Sequence, residues 1–458
     1  MVIEIHTLEK KEIEELLLST THFNIHYNKT KQYESVFKIL VGMVKASDDK
    51  EVWCLVTNIA RALSDKASAL SIPRNKEVYY NNKQDIGSTR LFRVLDTLVE
   101  NDYLVFYRGG FLGCMEDKVQ SVYKFTDKML SLWEGITLST KHTDGSGVII
   151  KNRDTKLELP TRGVVGVGIM NKEIAFYNSV IKTVDIEKDG VLICNQSYFR
   201  SFLDNLHTGG RWYNRTGAIQ TMSQQERKKL TMNKENVVEL DFKAMHPSIL
   251  YERVWQADKT YVEDWIKQFM GGKYDPYFVD ISSFIDCDND KVIAYQQAHN
   301  LPRYNPIRNL VKFAVMAGIN AKDVQKASGA ISEEVYKEMK KWDDAETNSE
   351  LKYYGIVIPP DHHGVHTFKT SFLCQAVRLS NGPIESFFFS DIGVELQYTD
   401  SQIISNVLST FAEEGEVALS MHDSIIVRES LAERAEHLMR ASYESVVGSS
   451  RFCVIERK

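Results

Sequence analysis

Three well-separated segments carry side chains able to do chemistry. In ENVVELDFKAMHPSILYE, residues 235–252, Val237, Val238 and Leu240 form a short apolar strand that delivers Asp241. A carboxylate at the end of a buried strand is expensive unless it meets a cation. In NPIRNLVKFAVMAGINAKDVQKA, residues 305–327, Arg308 and Lys312 stand four apart, and Met316 and Asn320 continue the spacing. Each four-residue step drifts about 40° around a helix, so the four side chains share one broad side. Two cations on one helix face suit a triphosphate. In GEVALSMHDSIIVRES, residues 415–430, the apolar runs VALSM and IIV flank His422–Asp423–Ser424. That pattern reads as a hairpin with Asp423 at its tip. Singly, a strand-end acid caps a helix and two cations sit in solvent. The ordered set carries the information.

These side chains need elements to position them. A helix with Ile403, Ile404, Val407, Leu408 and Phe411 on one side is expected to pack beneath the hairpin. Ahead of Asp241 lies HTGGRWYNRTGAIQTMSQQERKKL, residues 207–230, containing Arg211, Gln220 and Arg227. From Thr208 to Lys234 there are six Arg or Lys and one acid, Glu226, a local charge of +5 that can grip phosphates. Further upstream, residues 143–200 read as strand-rich, with GVVGVGIM and EIAFY among the strands. GVVGVG fits neither GxGxxG nor GxxxxGK[ST], so it reads as a glycine-containing strand. Residues 34–130 read as a compact helical unit ending in a hairpin. Ser88 or Thr89 caps a helix with Leu91, Val94, Leu95, Leu98 and Val99 at helical spacing, and Asn101–Asp102 stops it. YLVFY, an RGG turn and FLG follow as two short strands. A helix followed by a two-stranded wing is similar to a winged helix-turn-helix, which would aim Arg90 and Arg93 at DNA.

The ordered set strand–Asp, cationic helix, hairpin–His–Asp resembles motifs A, B and C of the palm-fold polymerases. HDS is the form of single-subunit phage-type RNA polymerases, whereas the related A-family DNA polymerases usually have HDE. Arg308 and Lys312 match the motif B spacing, Met316 is similar to the RNA-polymerase branch, and Asn320 stands where the family has Tyr. The 207–230 segment resembles the TGR element that precedes motif A in A-family polymerases. DFKAMHPSIL also resembles motif A of B-family DNA polymerases, but MHDS supplies one of the two acids of that family's DTDS. The resemblance covers roughly residues 205–458 and implies an α+β right-hand polymerase. Its palm would be an antiparallel sheet plus helices, with fingers and thumb, preceded by the winged-helix-like region. The implied division is 1–130 helical and winged-helix-like, 131–204 strand-rich connecting or thumb region, 205–300 palm with motif A, 301–350 fingers with motif B, and 351–458 palm with motif C.

The activity implied is template-directed nucleotidyl transfer to a 3′-hydroxyl with two Mg²⁺ ions, for which Mn²⁺ can substitute. Asp241, Asp423 and the backbone carbonyl of Phe242 would hold the metal. Lys312 would bind the triphosphate and protonate the leaving pyrophosphate, with Arg308 on the outer phosphates. Met316, Asn320 and His246 would line the nucleotide site, and Arg211, His422, Gln220 and Arg227 the primer and template. His246, five after the motif A acid, is bulky enough to obstruct a 2′-hydroxyl. It tips the expectation to a DNA-directed DNA polymerase, against an RNA polymerase or primase favoured by HDS and Met316. The partners implied are a DNA template, a primer or initiating nucleotide, nucleoside triphosphates and an accessory replication protein. Competing readings are a DNA-binding replication protein with an inactive palm, and a metal hydrolase built on Asp361, His362, His363 and His366.

Composition excludes other classes. The net charge is −6, with 56 basic and 62 acidic side chains, so global charge cannot drive nucleic-acid binding and any basic groove is local. No stretch approaches the roughly 18 apolar residues of a membrane span. Six scattered cysteines without CxxC argue against disulfide frameworks and cysteine-zinc sites, and fit a reducing cytoplasm.

Overall fold

Short strands with alternating burial build three larger sheets, and helices with apolar stripes cover them. The computed structural model describes all residues except 1, 25, 26, 28, 30, 46, 47, 80–84, 113–116, 139–146, 195, 279–305 and 343–369. The fold is mixed, with several sheets and many helices. Among the described residues, no helix is long and apolar enough to cross a membrane.

The N-terminal region is mixed rather than helical. A five-stranded sheet runs Val2–Glu4, Leu104–Arg108, Val122–Phe125, Ala69–Ser71, Thr20–His22. The helices Asp49–Ser64 and Ser88–Glu100 share one core with it. All five expected apolar positions of the Ser88–Glu100 helix are buried, and Asn101 follows as its C-cap. Its N-cap is Gly87, whose N–H donates to Glu51. The two strands expected after the helix exist, but they do not pair with each other. Leu104–Arg108 pairs with Val122–Phe125, and Gly110–Leu112 pairs with Asp117–Val119. The RGG element is therefore a close approach and not a reversal. A Cβ on Gly109 would lie 2.2 Å from the carbonyl oxygen of Val119.

Arg90 and Arg93 tie helices together. Arg90 Nε donates to Glu51 at 2.8 Å, and Arg93 Nε donates to Asp48 at 2.9 Å. Both acceptor carboxylates are fully buried. Without these arginines Asp48 and Glu51 would be buried charges lacking a cation, so the pairing holds helix to helix. It leaves the winged-helix reading without the two side chains assigned to DNA.

A second correction concerns residues 163–181. EIAFY lies inside a helix, Val167–Ile181, and the GVVGVGIM run is its entry. Val167, Ile174, Tyr177, Asn178 and Ile181 face inward at helical spacing, while Ile169 and Phe176 are exposed. Its β-branched and glycine residues imitate a strand locally, and packing of one face decides the outcome.

The sheet that matters for chemistry has seven strands. Its path is Val191–Leu192, Ile186–Lys188, Leu230–Met232, Glu235–Phe242, Ser424–Arg428, Leu419–Met421, with Ile455–Arg457 also beside Glu235–Phe242. The helix Gly393–Glu413 buries Ile403, Ile404, Val407, Leu408 and Phe411, as its stripe requires. It packs on the strand Asn205–Asn214 and reaches the hairpin strand Leu419–Met421. One continuous core joins these elements to the helices Met245–Ala257, Pro306–Asn320 and Ala432–Val447.

Candidate active site

Strand register brings the two acids together. Glu235–Phe242 runs antiparallel to Ser424–Arg428 with Asp241 opposite Ser424, so Asp241 lies beside Asp423. The amide of Phe242 donates to the carbonyl of Asp423 at 3.4 Å. On the other edge, Asp241 pairs with Glu456. The backbone under Asp241 is thus fixed from both sides. Met421 pairs with Ser424, which leaves His422–Asp423 as a two-residue hairpin loop. His422 has φ +68°, the positive value that a tight hairpin demands and that suits glycine better. A strained histidine there points to a side-chain requirement at the tip.

Burial, then the negative charge of Asp423, pushes the Asp241 carboxyl above its ordinary value. Lys458 opposes this: its Nζ lies 2.5 Å from Asp241 Oδ2. His422 is lowered by burial first, then by the nearby Arg211, and its ring meets Tyr213 edge-on at 5.6 Å.

Arg211 and His246 converge on a residue the motifs do not contain. Asp400, fully buried on the Gly393–Glu413 helix, accepts from Arg211 Nε at 3.2 Å and from Nη2 at 2.5 Å. His246 Nε2 lies 2.9 Å from the same carboxylate, and its Nδ1 is buried with no hydrogen-bond partner. A carboxylate only accepts, so Nε2 carries the proton. His246 therefore stands within the protein, held by Asp400, instead of presenting its ring to solvent. Asp400 had a readable signal: it lies three, four and seven positions before Ile403, Ile404 and Val407, on the apolar face of its own helix.

Gln220 and Arg227 also have internal partners. Gln220 donates to the carbonyls of Trp212 and Ser420 and accepts from the amide of Asn214. Arg227 grips Glu239 with two parallel bonds of 2.8 and 2.9 Å. Glu239 also accepts from Ser424 on the hairpin. The basic stretch is therefore partly architecture, since Arg227 braces the Asp241 strand through Glu239 and Arg211 ties its own strand to the Asp400 helix.

The one acid of that stretch gives a pH prediction. Glu226 closes a capping box with Ser223 and pairs with Lys188 at 3.0 Å. The Ser223 amide, then Lys188, hold its carboxyl down to about 2 from an ordinary 4.5. A lowered carboxyl stabilises the fold above its ordinary value and loses that contribution as pH falls toward the folded one. Solvent screening of a side chain 40% exposed limits the effect to about 1 kcal/mol. Glu226→Gln is expected to be less stable than wild type at pH 7 by that amount. The difference should vanish near pH 2 in urea unfolding at stepped pH.

The helix Pro306–Asn320 carries the other predicted residues. Arg308 lies in it, with its side chain outside the described residues. Lys312 is exposed and Met316 half-buried. Asn320 donates to the carbonyl of Met316 and abuts Gly393, where a Cβ would fall 1.5 Å from Asn320 Oδ1. Asn320 thus seats this helix on the start of the Asp400 helix. The Asp361, His362, His363 and His366 segment lies outside the described residues.

Among the described residues no group of three or more His, Cys, Asp or Glu gathers as a metal site. A divalent ion at Asp241 and Asp423 would rest on those two carboxylates and a backbone carbonyl. All three are oxygen donors, which suits Mg²⁺ and its retained waters. The local electrostatics fit as well: burial and the charge of Asp423 raise the Asp241 carboxyl, and a single ammonium, that of Lys458, contacts it among the described residues.

No family model matches the chain, and no curated protein matches it. Among solved structures, the chain is similar to the POL domain of Pol1 from M. smegmatis in complex with DNA primer-template and dNTP. The identity is 10%, the TM-score 0.27, and the match covers 97% of this chain and 81% of that one.

Proposed function

We propose that this protein is a template-directed nucleic-acid polymerase of the palm type, working as a DNA-directed DNA polymerase. The observation that carries the reading is the register of the central sheet. It sets Asp241 at a strand end directly beside the Asp423 hairpin tip, although the two lie 182 residues apart in the chain. The ordered motifs anticipate that meeting. In this reading the seven-stranded sheet is the palm, the helices Pro306–Asn320 and Val324–Trp342 belong to the fingers, and residues 131–204 contribute the thumb.

Asp241, Asp423 and the Phe242 carbonyl would hold Mg²⁺. When bound, the metal supplies charge stabilisation for the attacking and leaving oxygens of nucleotidyl transfer. The rest falls to the chain. The exposed Lys312 ammonium attracts the triphosphate of the incoming nucleotide and can donate a proton to the leaving pyrophosphate. Arg308, one turn earlier, adds a fork for the outer phosphates. His422 at the hairpin tip faces the primer terminus. Arg211 and His246, both held by Asp400, tie the Asn205–Asn214 strand and the Met245–Ala257 helix to the Gly393–Glu413 helix. The preference for deoxynucleotides rests on the motif resemblance, in which a histidine and not a small residue stands five positions after Asp241.

The test is extension of a labelled primer on a DNA template with Mg²⁺ and either dNTPs or NTPs. The expected result is template-dependent extension with dNTPs and loss of it in Lys312→Ala. Extension with NTPs alone would move the assignment to the RNA-polymerase branch. Absence of extension with both, across primed DNA and RNA templates, would leave the inactive-palm reading standing.

A further inference from the structure

The strand Ile455–Arg457 places a cation beside the acids that none of the three motifs supplies. It pairs with the Asp241 strand in the register Leu240↔Arg457, Asp241↔Glu456, Phe242↔Ile455. Just beyond it, the amide of Lys458 donates to the carbonyl of Glu239 at 2.9 Å. Lys243 reinforces the same edge from the opposite strand: its amide donates to Val454, and its Nζ meets Glu456 at 2.9 Å. The Lys458 backbone is therefore pinned, while its ammonium lies 2.5 Å from Asp241 Oδ2 on a flexible stem. That side chain is 33% exposed, so solvent lies within reach when it lets go. Arg211, the other cation near these acids, is committed to Asp400. Among the described residues Asp423 has no ion-pair partner, so Lys458 supplies the positive charge that contacts this pair.

We propose that Lys458 is a built-in counter-cation of the Asp241–Asp423 pair, which a divalent ion displaces, and that it thereby sets how tightly that ion binds. The inference rests on the reading of the pair as a divalent-cation site. A lysine suits the role because its charge is compact and its stem can retract, whereas a guanidinium fork would lock onto the carboxylate. The device has two effects. Before metal arrives, Lys458 offsets the repulsion between the two acids and holds the Asp241 side chain in one orientation. Once metal is present, the ion must outcompete an ammonium already in place, so its apparent affinity is lower than two bare carboxylates would give.

The test uses the full chain and Mn²⁺ alone, with free Mn²⁺ followed by its electron paramagnetic resonance signal. Lys458→Met is expected to tighten binding by about threefold to tenfold, the range of a partly exposed ion pair set against a partly buried one. In EDTA the same variant should melt below wild type, and saturating Mn²⁺ should close that gap. Lys458→Arg, which keeps the charge, should stay no tighter than wild type. Unchanged or weaker binding in Lys458→Met, with Asp241→Asn abolishing binding, would overturn the counter-cation role and leave the cation site intact. Equal Mn²⁺ signals for wild type and Asp241→Asn would overturn both.

Discussion

Asp423→Asn is expected to eliminate primer extension while making the metal-free protein more stable. The two halves of that result share one cause. The proposed catalysis needs two adjacent carboxylates, and folding is penalised by the same adjacency. Losing one metal anchor should lower the rate of incorporation by roughly a thousandfold or more, about 4 kcal/mol of transition-state stabilisation. The gain in stability follows from Asp241. Its carboxyl is raised by burial first and then by the charge of Asp423, above an ordinary value of 3.8. For an acid with a raised folded value, the neutral form is tolerated in both states at low pH. The penalty appears as pH rises through the ordinary value and is complete above the folded one. Replacing Asp423 by the isosteric amide removes the second cause of that shift. The expected gain is about 1 kcal/mol at pH 7, held down by the offset from Lys458 and by solvent screening. It should shrink toward zero near pH 3.5 when urea unfolding is followed in EDTA. A variant less stable than wild type at neutral pH would mean that Asp423 has a structural role instead of a repulsive one.

The parts of the site legible in the sequence are those whose geometry is local. A strand of Val237, Val238 and Leu240 leads to Asp241, and two apolar runs close on His422–Asp423; both features survive in the fold because alternation and a tight loop fix them within a few residues. The stripe of Ile403, Ile404, Val407, Leu408 and Phe411 is equally local, and its burial follows. Where a residue's role depends on a distant partner, the pattern is silent. Arg211, Arg227, Arg90 and Arg93 read as free cations, yet each meets a buried carboxylate: Asp400, Glu239, Glu51 and Asp48. Buried acids are costly alone, so each recruits the nearest guanidinium that the fold brings within reach. Lys458 is invisible for the same reason, since its position comes from strand pairing with residues more than two hundred positions earlier. The helix Val167–Ile181 failed differently. Its inward face includes Asn178, which donates to the Tyr198 carbonyl and accepts the Tyr198 amide, so a polar residue interrupts the stripe that would have identified it.

Asp400→Ala is expected to destabilise the fold more than any change at the acids themselves. The carboxylate binds two partners from two different elements: Arg211 on the Asn205–Asn214 strand, through both Nε and Nη2, and His246 on the Met245–Ala257 helix. Arg211 is 20% exposed and His246 only 4%. Removing Asp400 strands a mostly buried guanidinium and a buried imidazole N–H together. Breaking one side of a buried ion pair costs about 3–5 kcal/mol, chiefly because the surviving charge is left without compensation. Asp400→Asn keeps the shape and one acceptor and should lose less. The decisive comparison is Asp400→Leu with Arg211→Met. Taking out both charges should restore much of the stability that Asp400→Leu loses alone, giving a coupling energy of roughly 2 kcal/mol or more in a double-mutant cycle. The same double variant should still extend primers poorly, because it lacks the Arg211 guanidinium and His246 has lost the carboxylate that orients it. Stability and the proposed function would then separate: the pair is replaceable as packing, while the orientation that Asp400 gives Arg211 and His246 is what the proposed chemistry would require. A single Asp400→Ala variant that unfolds within about 1 kcal/mol of wild type would show that Arg211 finds other acceptors, and that Asp400 does not organise the site.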